Sequence, residues 1–269
     1  MINHVSFPML GLEFEINRVA FSVFGMPVYG YGIIIALGLA LAFVYATYQT
    51  KKVGISQDDF LNMLIIALPV SIICARLYYV IFSWDYYKNN LTEIFNIRGG
   101  GIAIYGAVIG AAMVVLVYCR FKKLKIGKVL DVLAVGLLIG QAVGRWGNFI
   151  NGEAFGETTA LPWAMTIVQK GRTIANMAHP TFFYESLWNA FGVLALVLYN
   201  RKKAFEGETF CGYMVWYGIG RMFIEGLRTD SLFIGSVRVS QLLSLCIVVA
   251  GVVLIAAKRK NIKKVLDKQ

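Results

Sequence analysis

The chain has 269 residues, of which 58% are hydrophobic and only 15% are charged. The apolar residues form long blocks, and a soluble core could not bury so many helices that are apolar on every side. The formal net charge of +11 lies mainly in short segments between the blocks, which indicates membrane topology and no nucleic-acid partner.

The first segment, residues 1–27, is amphipathic, and we interpret it as an outer N-terminal arm or an added short strand. Glu13, Glu15 and Arg18 interrupt it, and no short apolar core with a small-residue cleavage site follows. The pattern therefore does not predict a cleavable signal peptide, and the first membrane helix is expected to be uncleaved.

Seven apolar blocks follow, and most approach the roughly 20 residues that a bilayer-spanning helix needs. They predict an all-α polytopic membrane protein with about seven transmembrane helices in one integral membrane domain. The predicted helices cover residues 30–48, 60–82, 100–118, 129–149, 181–199, 210–226 and 241–257. The outer segment 150–178 is too short for an independent domain and is predicted to form a small cap.

The distribution of cations predicts the orientation. With the N-terminus outside, the cytoplasmic segments carry 16 Lys and Arg residues and the outer segments carry 7. Positive residues stay on the cytoplasmic side, so we predict an N-out, C-in protein of the bacterial inner membrane. The cysteines show no metal or disulfide spacing, and we expect neither a metal nor a cofactor; they are Cys74, Cys119, Cys211 and Cys246.

Polar groups inside the apolar blocks are costly unless they have partners, so each is a candidate functional residue. Six predicted helices deliver such residues to the same outer level, whereas structural polar residues would be scattered in depth. They are Tyr31, Arg76, Tyr105, Arg145, Asn148, Glu185, Tyr217, Arg221 and Glu225. Three arginines against two glutamates leave a positive field that suits an anionic ligand, such as a phospholipid headgroup.

Tyr217, Arg221 and Glu225 recur every four residues and therefore share one helix face, with Arg228 one turn further. A self-neutralising Arg–Glu pair that only holds helices together is the alternative interpretation of this face. We also expect a hollow large enough for a lipid between the arginines.

The segment 144–156, GRWGNFINGEAFG, is too polar and too rich in glycine for a plain helix end. Glycines allow the backbone to approach a ligand closely, and a simple turn would need neither Arg145 nor the two asparagines. The segment resembles the signature G-R-x-G-N-F-x-N-G-E-x-x-G of the prolipoprotein diacylglyceryl transferase family at every fixed position.

Further motifs resemble the same family in sequential order, over about residues 28–230. They are Tyr31-Gly32, Ala75-Arg76-Leu77, the glycine-rich stretch 99–110, His179-Pro180-Thr181 with Tyr184-Glu185, and Tyr217-Gly218 with Arg221 and Glu225.

The resemblance implies transfer of the diacylglyceryl group of phosphatidylglycerol to the lipobox cysteine of a preprolipoprotein signal peptide, with release of glycerol phosphate. It implies a catalytic set of Arg145, Arg221 and Tyr105, in which the arginines bind the phosphate. The implied substrate-binding residues are Tyr31, Arg76, Asn148, Asn151, Glu153, Gly156, Tyr217 and Glu225.

Tyr105 departs from the family pattern, because many members have a histidine there that is assigned as a base for the thiol. A phenol keeps its proton at neutral pH and is a poor base. Either Tyr105 is deprotonated beside an arginine, or the arginine field promotes proton loss from the substrate thiol; we favour the second. His179 is a structural cap or a proton acceptor, and we favour a structural role for Glu185 over an acid–base role.

Two other classes of protein remain as alternatives. A small lipid or anion transporter would also gather arginines, but transporters place sites at the bilayer midplane and contain inverted repeats. A membrane scaffold would not need a cationic pocket of phosphate size.

Overall fold

The computed structural model describes residues 2–97, 99–229, 231–235 and 237–267. The chain forms two compact units. The first unit contains the residues up to 46 together with those from 130 onward, and the second unit contains residues 47–129.

Five long helices lie wholly or partly in the first unit, and small residues set how closely they pack. A Cβ at Gly218 would lie 2.6 Å from Val248 Cγ2, and one at Gly251 would lie 2.9 Å from Cys211 O. Such close approach is typical of membrane helices. The five helices are α1 (Gly30–Val53), α5 (Ile126–Asn151), α6 (Thr181–Asn200), α7 (Glu208–Glu225) and α8 (Val239–Leu266).

The second unit is a helical pair closed by a loop. Helices α2 (Gln57–Phe82) and α4 (Ile104–Phe121) pack together, joined by the short helix α3 (Trp84–Tyr87) and the 3₁₀ turn Leu91–Phe95. A Cβ at Gly110 would lie 2.9 Å from Cys74 Cβ, so glycine permits the close contact of the two helices.

Among the described residues, six helices are long and apolar enough to cross a membrane: α1, α2, α4, α5, α6 and α8. The chain is therefore a multi-pass membrane protein. Helix α7 has 18 residues, and three of them are charged: Glu208, Arg221 and Glu225. The prediction of helices in these blocks is confirmed.

A four-stranded antiparallel sheet shows that the all-α prediction is wrong. Its strand order is β2-β1-β5-β6, formed by β2 (Leu12–Asn17), β1 (Ile2–Phe7), β5 (Met165–Gln169) and β6 (Arg172–Ala178). Alternate residues of β1, Asn3 and Val5, are buried, as in a strand with one covered face. The arm and the cap thus join in one sheet, because Asn3 pairs with Gln169 and Ser6 with Thr166.

The sheet covers a small apolar core at the start of α6. Buried Val5, Met165 and Ile167 pack with Phe182, while Phe149 near the end of α5 packs against the same cluster. The remaining strands among the described residues form two hairpins, and the first hairpin leads directly into α1. They are β3 (Val19–Val23) with β4 (Met26–Tyr29), and β7 (Phe233–Ile234) with β8 (Val237–Arg238).

Candidate active site

Three helices of the first unit meet at one buried carboxylate. Glu185, in the second turn of α6, is 5% exposed, and its Oε2 lies 2.5 Å from Arg145 Nη2 near the end of α5. Arg221 Nη1, near the end of α7, lies 3.1 Å from Glu185 Oε1. Glu185 therefore links the two predicted phosphate-binding arginines and fixes their spacing.

A second carboxylate and a third arginine extend this group. Arg221 Nη2 lies 2.6 Å from Glu225 Oε2, one helical turn away on α7. Arg228 Nη1 lies 3.6 Å from Glu185 Oε1, and its Nε lies 3.9 Å from Glu225 Oε2. These five residues are called the arginine cluster below. Three guanidinium groups against two carboxylates leave an excess of one positive charge.

Arg228 was not among the predicted site residues. The signal was available, because Arg228 follows Arg221 by seven residues and Glu225 by three, which continues the same helical face. In the sequence, Arg228 lies beyond the apolar block, in the segment that follows the predicted helix. The structure shows instead that the chain turns there and brings the side chain back to Glu185.

Arg145 and Arg221 are partly exposed to solvent, whereas the two carboxylates are buried. Arg145 is 21% exposed and Arg221 is 17% exposed, while Glu225 is only 3% exposed. A guanidinium group has five N–H donors, so each arginine can hold a carboxylate with one edge and bind an anion with another. The arrangement favours an anion-binding surface whose guanidinium groups are held by carboxylates on their buried side.

The space inside the cluster is small. A crevice bordered by Glu185, Tyr217 and Arg221 has a volume of about 10 Å³, which is room for about one water molecule. This crevice is too small to be the lipid-sized hollow that the sequence predicts. A phosphate in this conformation would instead contact the partly exposed sides of Arg145 and Arg221.

The glycine-rich segment begins as the end of α5, which runs through Asn151. Asn148 Nδ2 and Asn151 Nδ2 donate to Glu153 Oε1 at 3.1 and 3.2 Å, and the Glu153 backbone N–H donates to Asn148 O. Gly152 reverses the chain with a φ of +61°, where a side chain would be strained. The three predicted substrate-binding residues Asn148, Asn151 and Glu153 thus form one hydrogen-bonded group.

Gly156 ties the cap to the start of α6 and the end of α7. Its backbone N–H donates to His179 O, and it forms an isolated bridge with Arg228. A Cβ at this position would lie 2.8 Å from both His179 Cβ and Leu227 O. Glycine is required here for close backbone packing beside the arginine cluster.

Two predicted tyrosines lie against helices of the first unit. A Cβ at Gly147 would lie 2.7 Å from Tyr31 Cδ2, so the Tyr31 ring rests directly on the backbone of α5. Tyr217 stacks on Tyr213 with ring centroids 5.7 Å apart and lines the crevice next to Arg221.

His179 contacts Tyr184 in the first turn of α6. Its Nδ1 lies 3.2 Å from Tyr184 Oη, which also accepts a hydrogen bond from Trp163 Nε1 at 2.7 Å. This set of contacts joins the cap to the first turn of α6 and favours the structural alternative for His179.

In the second unit, Arg76 is buried and donates to four backbone carbonyls. Its Nε donates to Ile94 O at 2.9 Å, and Nη2 donates to Glu93 O at 2.5 Å. Nη1 donates to Gly100 O and Gly101 O at 2.7 and 2.8 Å. These bonds hold the loop after α3, so the geometry favours a structural role for Arg76, and its assignment to substrate binding stays a prediction.

Tyr105 lies in the first turn of α4, with its ring centroid 6.3 Å from that of Tyr78 on α2. The two rings are tilted by 44°, so the phenol stands beside another aromatic ring of the second unit. The catalytic assignment of Tyr105 also stays a prediction.

A family model described as prolipoprotein diacylglyceryl transferase matches residues 18–257. The chain belongs to this family. Curated relatives named phosphatidylglycerol–prolipoprotein diacylglyceryl transferase agree over almost the whole length. The protein of Finegoldia magna is 52% identical over 92% of this chain and 98% of the relative. That of Clostridioides difficile is 46% identical over 91% and 98%, and that of Limosilactobacillus reuteri is 44% identical over 94% and 95%.

The family match includes every member of the arginine cluster, the Asn148–Asn151–Glu153 group and Gly156. The resemblance inferred from the sequence motifs is therefore confirmed for the family. A diacylglyceryl transferase must handle an anionic lipid, which agrees with the excess positive charge of the cluster.

Proposed function

We propose that the chain transfers the diacylglyceryl group of phosphatidylglycerol to prolipoproteins. Membership of the transferase family over residues 18–257 carries this proposal, and it favours an enzyme over the small lipid or anion transporter. The arginine cluster supplies the charge that such a reaction needs.

The reaction joins a lipobox cysteine sulfur to a glyceryl carbon of the lipid. The thiol loses its proton to solvent water, the sulfur attacks the carbon, and the carbon–oxygen bond to the phosphate breaks. A thioether forms, and glycerol phosphate leaves with the bonding electrons. A phosphodiester with one negative charge becomes a phosphomonoester, so negative charge grows on the phosphate as the bond breaks.

Arg145 and Arg221 are proposed to bind that phosphate and to stabilise the developing charge. Groups that are already oriented toward the charge lower the barrier because they need no reorganisation during the reaction. Glu185 holds both guanidinium groups from the buried side, and Glu225 holds Arg221. Both carboxylates are therefore positioning residues.

The remaining predicted residues are proposed to shape the lipid and thiol sites. Asn148, Asn151 and Glu153 form the polar group that orients the glycerol headgroup, and Gly156 keeps this turn in place. Tyr31 and Tyr217 line the site from α1 and α7. The substrate-binding role of Arg76 rests on the family resemblance alone.

The thiol must lose its proton before it attacks. Its surroundings must therefore either provide a base or stabilise the thiolate. We propose that the positive field of the arginines makes the thiol more acidic, so that Tyr105 only positions the substrate. Thiolate formation next to cationic groups needs no strong base, which agrees with a phenol at this position. Glu185 then acts only as a structural carboxylate.

We further propose seven spans in the bacterial inner membrane, with the N-terminus, the cap and the site on the outer side. Strand β1 precedes α1 and pairs with β5 after α5, and four apolar helices lie between them. An even number of crossings returns the chain to the same side. The segment after α7 also contacts the cap, because Glu157 N–H donates to Leu227 O, so α6 and α7 together make two crossings. This supports α7 as a span despite its charges.

The test uses purified full-length protein, phosphatidylglycerol vesicles and a synthetic lipobox peptide, with mass spectrometry as the readout. The expected result is a gain of one diacylglyceryl mass on the peptide. A matched peptide with serine in place of the lipobox cysteine should gain nothing. Equal gain with phosphatidylcholine in place of phosphatidylglycerol, or no gain with folded protein, would contradict the proposal.

A further inference from the structure

A second surface lies near the C-terminal end of α6, the end away from Glu185. It is a groove of about 450 Å³ between α6, α7 and α8, and its wall is almost entirely apolar. The volume falls in the roughly 300–1,000 Å³ range of small-molecule sites. It reaches Tyr199, which follows Glu185 by 14 residues, or about 20 Å along α6.

Small residues open this groove. Ala195 on α6, Gly212 on α7 and Ala256 on α8 contribute little side-chain volume, while Trp216 and Val252 provide apolar walls. The groove runs along α7 for about two turns, since its α7 residues extend from Gly212 to Ile219. A narrow apolar groove parallel to membrane helices is complementary to a lipid acyl chain in shape and in chemistry.

One end of the groove carries a fixed cation. Arg259 follows Ile255 by four residues and Ala256 by three, so it continues the groove face of α8. Its Nε donates to Glu208 Oε1 at 2.5 Å, and its Nη2 donates to Tyr199 Oη at 3.3 Å. Glu208 is fully buried, whereas Arg259 is 47% exposed. The guanidinium group is thus anchored by one edge and open on another.

The charge around this end is positive. Exposed cations flank Arg259 on α8, whereas the buried Glu208 is already neutralised by it; these cations are Lys258, Lys260, Lys263 and Lys264. We propose that the groove holds one acyl chain of an anionic phospholipid whose phosphate contacts Arg259. The site differs from the proposed transferase site in its residues and in its position along α6.

The first test measures how many lipids the full chain retains. The protein, freed of lipid in detergent, is titrated with dioleoyl phosphatidic acid and analysed by native mass spectrometry. Ala256→Trp should fill the groove and remove one bound lipid. Ala257→Trp, the matched control one residue further and outside the groove, should keep it. Arg145→Gln should also keep it, which separates this site from the proposed transferase site.

The second test concerns the phosphate contact. Phosphatidic acid should bind more tightly than dioleoyl phosphatidylcholine, and Arg259→Gln should reduce this preference by about fivefold, the effect expected for one interfacial cation. Lys264→Gln, on another face of α8, should change it less. If Ala256→Trp does not fold, this pair of variants decides the question.

Three results would overturn the proposal. They are equal affinity for the two lipids, an unchanged lipid count in Ala256→Trp, and a dimer that only Ala256→Trp abolishes. The last result would show that a second copy of the chain, and not a lipid, occupies the groove.

Discussion

Arg76 in the second unit and Arg221 in the first both lie in apolar sequence, yet they have opposite surroundings. Arg76 donates to four backbone carbonyls, which have no net charge and use most of its donors. Arg221 faces two carboxylates that it shares with Arg145 and Arg228. A buried arginine saturated by carbonyls stabilises a loop, whereas arginines that outnumber their carboxylates can still attract an anion.

The largest effect is expected from removing a guanidinium group of the arginine cluster. Arg145→Gln and Arg221→Gln should each lower kcat/KM by about 10²–10³-fold, because each removes a donor aimed at the developing charge. Arg172→Gln, an exposed arginine of β6, is the matched control and should keep its activity. Retention of full activity in either cluster variant would remove the phosphate-binding role from that residue.

A smaller effect is expected from Glu185→Gln, which keeps the shape of the side chain and removes its charge. Arg145 and Arg221 would lose their common anchor, so kcat/KM should fall about tenfold, the size of a typical charged hydrogen bond. Glu157→Gln, at a largely exposed carboxylate of the cap, is the control. Wild-type kinetics in Glu185→Gln would mean that the arginines are oriented without it.

Tyr105→Phe should lower kcat/KM by about fivefold or less, because only one hydrogen bond of the phenol is lost. The neighbouring Tyr78→Phe is a control within the same unit. A loss of a hundredfold or more in Tyr105→Phe alone would show that the phenol is essential to proton transfer. The arginine field would then be insufficient for thiol activation.

Arg76→Gln should have the smallest effect on kcat, about twofold, and a clear effect on stability. Four backbone carbonyls would lose their donor, so we expect a lower Tm in detergent. The control is Arg120→Gln, an exposed arginine at the end of α4. The opposite result, an unchanged Tm with a large rise in KM, would place Arg76 in substrate binding and would end the contrast with Arg221.

The helices could be predicted because an apolar block of membrane length is a local property of the sequence. The predicted boundaries at 129–149 and 210–226 lie within a few residues of α5 and α7 at their C-terminal ends. The polar residues of the arginine cluster were also predicted as site residues, except Arg228. Family membership could be inferred as well, because the glycine-rich signature is contiguous.

The sheet could not be predicted, because it pairs residues 3–6 with residues 166–169. Each strand is short, and β1 looks amphipathic by itself, so the sequence does not reveal its partner. The contacts of Arg76 could not be predicted either, because its partners are backbone carbonyls, which no side chain in the sequence reveals. Arg228 lay beyond the apolar block and needed the turn after α7 to reach Glu185.

The pairing of β1 with β5 also constrains how the protein is made. Strand β1 is synthesised before β5, and the four long helices α1, α2, α4 and α5 lie between them in the chain. Strand β1 therefore cannot pair with β5 until α5 has been synthesised. The cap completes late in biogenesis, and a bulky fusion at the N-terminus would obstruct its closure even when every helix has inserted correctly.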